Sequence, residues 1–257
     1  MSNYKMNRLK TLFHTIAIVL VLAGTIATSG CVYFNTFYNA RKAFNEAESA
    51  RKESLSKGRE SIQKAKYDQA IEKALKVTEQ YPNSGYYDDA LYVLGVSYYY
   101  TNQQLKSERR LRELMANFPK SKYVDEATIY LAKSKLKQED EGEAIVLFEQ
   151  IFNGDFDKEY KTESALGLGN YFFDQREFDK SRPYFIAVRD SLGNDIQKRW
   201  AQSMIADSYF EQYNFKDALG NYQQLLGMGP DKNETYLATY RSAICSFRLQ
   251  SIETGME

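Results

Sequence analysis

The stretch Ala90-Leu91-Tyr92-Val93-Leu94-Gly95-Val96-Ser97-Tyr98 decides the fold, because its glycine belongs to a series. Counting forward from Gly95 in steps of 37 residues meets Ala132, Gly169, Ala206 and Ala243, and one step back meets Gly58. A second small-residue series with the same step runs through Ala70, Ser107, Ala144, Ser181 and Ala218. Four residues after its members come Ala74, Leu111, Phe148, Phe185 and Tyr222; twelve residues after them come Pro82, Pro119, Phe156, Gly193 and Pro230. Small side chains in two registers let paired helices approach closely, the larger ones fill the spaces beside them, and proline, lacking an amide hydrogen, stops the second helix. The spacing therefore predicts repeated helix pairs at 51–87, 88–124, 125–161, 162–198 and 199–235, with a sixth helix A from 236 to about 249.

Working outward, Leu94-Gly95, Tyr98, Leu111 and Pro119 in one unit, and Ile205-Ala206, Tyr209, Phe215, Ala218, Tyr222, Leu225 and Pro230 in another, resemble the tetratricopeptide repeat. That family's pairs recur every 34 residues. The three extra residues fall in connections such as Tyr81 to Ala90. The resemblance implies an all-α fold, a tetratricopeptide-like helix-hairpin solenoid coiled as a right-handed superhelix, with helix A of each unit lining the concave face. In such arrays the second, fifth and ninth positions of helix A point into the concavity. The fifth-position series is Leu55, Tyr92, Ile129, Leu166, Ser203 and Tyr240; the ninth is Arg59, Val96, Lys133, Asn170, Asp207 and Ile244. A partner-binding groove is accordingly expected at Tyr92, Val96, Ile129, Lys133, Leu166, Asn170 and Asp207, with ordinary inter-repeat core an equal alternative for the fifth series. The carboxylate clamp of chaperone-binding members uses lysine at position five and asparagine at nine, and Asn170 has Leu166 beside it, so that clamp is not expected.

Residues 1–30 read as a lipoprotein signal peptide. Lys5, Arg8 and Lys10 precede the apolar run Ile16 to Ala23, which is too short for a comfortable bilayer span. Thr28-Ser29-Gly30-Cys31 resembles the lipobox of bacterial lipoproteins, which makes Cys31 the lipidated first mature residue; an uncleaved anchor is the alternative. The absence of aspartate after Cys31, where Val32 stands, implies by the same resemblance the outer membrane, with the protein lipid-anchored on its periplasmic face. Residues 31–50 are then a lipidated N-terminus and an aromatic-rich leading helix, and 51–257 the repeats. Tyr33, Phe34, Phe37, Tyr38 and Phe44 form a stripe that rests on the membrane or docks onto the first repeat.

Composition removes most chemistry. Lys plus Arg and Asp plus Glu are balanced at 34 each, which gives no global reason to expect nucleic acid. The one histidine, His14, lies in the leader, so the mature chain has no imidazole for acid–base or metal chemistry. No enzyme activity, metal or cofactor is expected; the competing reading is a cell-wall-directed enzyme using Glu163 and Asp207. Gly167-Leu168-Gly169 reads as helix packing, and Asn153, Asp155 and Asp157 as a polar turn, since Lys158 stands where a calcium loop needs glycine. Lys106, Arg109, Arg110 and Arg112 read as a solvated face, Cys245 as a small packing residue, and Trp200 as either packing or groove edge.

In the last helix Tyr236, Leu237, Tyr240, Ala243, Ile244 and Phe247 make one apolar face, with Cys245, Leu249 and Ile252 opposite. A terminal cap should be polar outside, so a truncated chain or a covering partner is expected.

The connections Tyr81-Pro82-x-Ser84-x-Tyr86-x-Asp88-x-Ala90 and Phe118-Pro119-x-Ser121-x-Tyr123-x-Asp125-x-Ala127, together with the lipobox, resemble the outer-membrane assembly lipoproteins of the BamD type. That resemblance implies a non-enzymatic scaffold whose partners are a β-barrel insertase or nascent outer-membrane proteins. The cell-division coordinator of the CpoB type shares such connections but normally has a coiled coil and no anchor. A purely structural membrane spacer is the third class.

Overall fold

The computed structural model describes residues 35–55 and 61–255, and every regular element among them is helical. In order they are α1 (35–55), α2 (Lys64–Gln80), α3 (Tyr87–Tyr100), α4 (Gln104–Asn117), α5 (Val124–Lys137), α6 (Glu141–Asn153), α7 (Lys158–Asp174), α8 (Phe178–Ala187), a π turn (Val188–Leu192), α9 (Asp195–Glu211), α10 (Phe215–Leu226) and α11 (Lys232–Gly255). They form two compact units, residues 1–130 and 131–257. Cys31, Tyr33, Phe34, Gly58, Arg59 and the side chain of Ile252 lie outside the described residues.

The two small-residue series do what the spacing predicts. Ala70, Ser107, Ala144, Ser181 and Ala218 are each fully buried. Gly95 packs so closely on Leu111 that any side chain would overlap it, and a Cβ at Gly169 would lie 2.6 Å from the Phe185 ring. The Ser107 hydroxyl adds a 2.8 Å hydrogen bond to the Gly95 carbonyl, tying α4 to α3.

The turn from helix A to helix B also keeps the 37-residue step, in its backbone. Asn102, Glu139, Arg176 and Tyr213 all adopt left-handed φ, between 59° and 63°. After each, the same pair of bonds closes the helix, as in Asn102 N–H to the Tyr99 carbonyl (3.2 Å) and Gln103 N–H to the Tyr98 carbonyl (2.8 Å). This is the Schellman stop, usually built on glycine. No glycine marks any of the four positions, so the sequence gives no sign of it. The following residue starts helix B, and where it is Asp140 or Asn214 its side chain accepts an N–H of the first turn.

The B-to-A connections owe their shape to serine. Ser84 and Ser121 hydroxyls accept from the N–H groups of Tyr86 and Tyr123, and Ser121 donates to Asp88 at 2.7 Å. In the fourth repeat, Pro183 lies inside α8, and the helix ends in the π turn with Gly193 N–H bonded to the Val188 carbonyl.

Helix A of the first repeat departs from the 37-residue step. The step places it from residue 51 through Gly58 to Ile62, whereas a helix covers 35–55 and residues 61–63 are coil. Apolar periodicity explains the difference. Phe37, Ala40, Phe44 and Ala47 recur at helical spacing and are all buried, while residues 51–66 are mostly charged or polar. Phe37 stacks on Tyr86, and Phe44 meets Tyr67 and Tyr92 edge-on, so these two rings dock onto the repeats; Tyr38 faces solvent.

The outer helix α11 turns its less apolar side inward. Ala238 and Cys245 are buried with Ala218, Tyr222 and Leu225, whereas Tyr236, Leu237, Tyr240 and Phe247 are between 54% and 68% exposed. The register explains this choice. Ala238 continues the fully buried row Ala90, Ala127, Ser164 and Ala201, while Ala243, in the row that elsewhere meets its own helix B, is exposed. Burial pushes the Cys245 thiol up, in keeping with its packing role.

Candidate functional site: helix A faces of the two units

In the first unit, Tyr92, Val96 and Ile129 are core residues: Tyr92 is 7% exposed and the other two are fully buried. Tyr92 stacks on Tyr123 with ring centroids 4.2 Å apart, and Phe44 of α1 closes its other side at 5.7 Å. Burial holds the Tyr92 phenol well above its ordinary value, and the Glu126 carboxylate adds to the shift. The surrounding tyrosines form a bonded cluster. Tyr67 donates to Glu48 at 2.5 Å, Glu48 pairs with Arg51 at 2.8 Å, Arg51 lies over the Tyr100 ring, and the hydroxyls of Tyr100 and Tyr130 are 3.0 Å apart. Tyr99, which shares its register with half-buried Leu136, Phe173 and Phe210, meets Tyr100 and Tyr130 edge-on. A recess of about 240 Å³ remains beside Phe37, Arg41 and Glu126. The groove expected on this face is thus filled by the protein's own side chains.

The second unit presents a cleft of about 530 Å³ whose lining includes Lys133, Leu166 and Asn170. α5 supplies Lys133 and Leu136, α6 supplies Glu141 and Phe148, and α7 supplies Glu163, Leu166, Gly167, Asn170, Tyr171 and Asp174. All three expected residues are half-exposed. Phe148 forms the floor because residue 167 is glycine; a Cβ there would sit 3.1 Å from the ring edge. Leu136 and Leu166 complete the apolar surface. Lys133 is ion-paired with Glu163, and Tyr171 donates to Glu141 at 2.6 Å, which raises the phenol's pKa. The side chains of Asn170 and Asp174, and that of Gln175 beside them, make no hydrogen bond or ion pair among the described residues, so their polar groups are open to a ligand.

Asp207 stands apart from this cleft. Its carboxylate accepts from Tyr222 at 2.6 Å and from Arg241, which joins α9 to α10 and α11. Burial raises its pKa above the usual carboxylate range, against the opposing pull of Tyr222 and Arg241. The carboxylates weighed for chemistry, Glu163 and Asp207, are therefore both engaged in ion pairs between repeats.

Gly167 and Gly169 lie within α7, and Asn153 to Asp157 join α6 to α7. Arg110 and Arg112 pair with Glu113 and Glu108, and Trp200 is 37% exposed with its ring edge against Phe185. Glu141, Phe148 and Asp174 carry no cleft signal in the sequence, since none stands at position two, five or nine of a helix A. The signal for the Lys133–Glu163 pair was a thirty-residue offset, which joins position nine of one helix A to position two of the next.

Stacked helix hairpins with a constant 37-residue step, closed by the same turn each time, define a helical-repeat protein. Residues 89–121 match the tetratricopeptide repeat family. Those limits lie within the second repeat, 88–124. The chain is similar in fold to nearly identical tetratricopeptide-like repeats of a putative kinesin light chain from Podospora anserina, with TM-score 0.53 and 13% identity over 73% of this chain and 93% of that one. It is also similar to pilF of Pseudomonas aeruginosa, with TM-score 0.51 and 14% identity over 84% of this chain and 94% of that one. No curated protein sequence matches the chain. Among the described residues no helix is long and apolar enough to cross a membrane.

Proposed function

We propose that this protein is a periplasm-facing outer-membrane lipoprotein scaffold that holds an extended segment of a protein partner in the α5–α7 cleft and serves outer-membrane β-barrel assembly. The observation that carries the binding role is the cleft itself. Asn170 offers a free amide above an apolar floor, an arrangement suited to hydrogen-bonding a peptide backbone while a side chain is buried below. The membrane and assembly parts rest on the lipobox resemblance at Thr28 to Cys31 and on the Pro-x-Ser connections.

The test is a crosslinked pull-down of the lipidated protein from native outer membranes, with Cys31→Ala as control and mass spectrometry of what accompanies it. The expected result is a large β-barrel protein with periplasmic domains, recovered only with the anchor. Division or cell-wall factors in its place would favour the coordinator of the CpoB type and end the assembly reading.

A further inference from the structure

The charge around the α5–α7 cleft narrows what it can hold. Three carboxylates, Glu141, Glu163 and Asp174, line it against a single base, Lys133, so its lining carries a net charge of minus two. Glu163 takes up the lysine, and the partner of Glu141 is the neutral Tyr171 hydroxyl, so Glu141 and Asp174 keep uncompensated charge at the rim. Both are exposed, while Leu136, Leu166 and Phe148 form the apolar surface below them. Among the residues that line the cleft, a ligand carboxylate would meet like charge, and the one base, Lys133, is already paired.

We infer that the cleft selects an extended peptide with a bulky apolar side chain flanked by lysine or arginine, and rejects acidic segments and free C-terminal carboxylates. This rests on the peptide-binding role proposed above and specifies its ligand. The apolar side chain would sit on Phe148 between Leu136 and Leu166. The flanking cations would face Glu141 and Asp174, and the Asn170 amide would bond the peptide backbone. Charge at the rim contributes mainly to selectivity, because an exposed pair adds little to affinity by itself, whereas attraction of one ligand and repulsion of the other add together in the difference between them.

The experiment measures binding of two end-capped, neutrally labelled peptides, Ala-Lys-Phe-Lys-Ala and Ala-Glu-Phe-Glu-Ala, to the full lipidated protein in a non-ionic detergent. At low salt the lysine peptide should bind about tenfold or more tightly, and the preference should shrink at roughly 0.5 M salt as the exposed charges are screened. Asp174→Asn with Glu141→Gln should remove most of the preference, and Asp174→Lys should reverse it. Both positions are exposed, so helix content by circular dichroism should be unchanged in each variant. Leu166→Ser should weaken the lysine peptide without altering its salt dependence. Equal binding of the two peptides, a preference indifferent to the rim variants, or no binding of either peptide would each overturn the inference. Selective binding of the lysine peptide alongside a pull-down that lacks any β-barrel protein would leave the charge rule standing and remove the assembly role alone.

Discussion

The same register positions do opposite things in the two units. Among the expected groove residues at positions five and nine of helix A, Tyr92, Val96 and Ile129 of the first unit are all buried; in the second, Lys133, Leu166 and Asn170 share an open cleft while Asp207 is tied to Tyr222 and Arg241. The difference lies in what packs against them. In the first unit α1 brings Phe44 onto Tyr92, Tyr123 covers the other side, and hydroxyl-to-carboxylate bonds fix the cluster. In the second, glycine at 167 and charged residues at 133 and 163 leave the space above Phe148 unfilled. A repeat sets where a side chain stands; its neighbours decide whether it faces a ligand or the core.

The largest test of this contrast is alkaline pH. Tyr67, Tyr92 and Tyr130 are buried in the first unit, and burial raises each phenol's pKa above its ordinary value. A folded state that holds its protons more tightly than the unfolded chain is fully favoured below the unfolded value of 10.0 and loses stability as pH rises above it. Each such phenol contributes a slope of about 1.4 kcal/mol per pH unit in that window. Absorbance of tyrosinate should therefore show a late phase that coincides with loss of helix. Titration of all tyrosines together, without unfolding, would break the picture of a sealed face.

Next in size is Phe44→Ala, expected to cost about 3 kcal/mol or more through the cavity it leaves between α1 and Tyr92. Hydrogen exchange should quicken in α2 and α3 and stay unchanged in α9 and α10. Equal effects in both units would show that they do not differ in the way described.

Arg241→Met should cost roughly 1–3 kcal/mol, because Asp207 would keep only Tyr222 as partner in a site that solvent partly reaches. The loss should diminish toward acid pH, where the carboxyl is protonated, and Asp207→Asn in the same chain should recover part of it. A pH-independent loss would mean that packing of the arginine stem matters more than its charge.

Within α7, Gly169→Ala should destabilise by about 1–2 kcal/mol, overlap with Phe185 outweighing the better helix propensity of alanine. Gly167→Ala, over the floor of the cleft, should be neutral within about 0.5 kcal/mol. Thermal melts of the two variants sharpen the distinction between a closed helix contact and an open one. The smallest effect is expected at the turn: Tyr213→Gly should stabilise by a few tenths of a kcal/mol to about 1 kcal/mol, since a left-handed φ disfavours any side chain.

The helix pairs, their 37-residue step and the small residues at their contacts were legible in the order of amino acids, because close packing restricts those positions to residues of one size class. That order also carried the Pro-x-Ser connections and the packing role of Cys245. It did not carry the Schellman turns, which are held at Asn102, Glu139, Arg176 and Tyr213 by backbone bonds and flanking helices in place of glycine. Nor did the 37-residue step place helix A of the first repeat, because the helix forms instead on the aromatic stripe at 37–47 within the leading segment. Most of all, which of the seven expected groove residues meet solvent is set by packing between helices. Periodicity fixes the direction of a side chain from its own helix, whereas exposure depends on atoms many residues away, such as Phe44 over Tyr92 and the missing Cβ of Gly167 over Phe148.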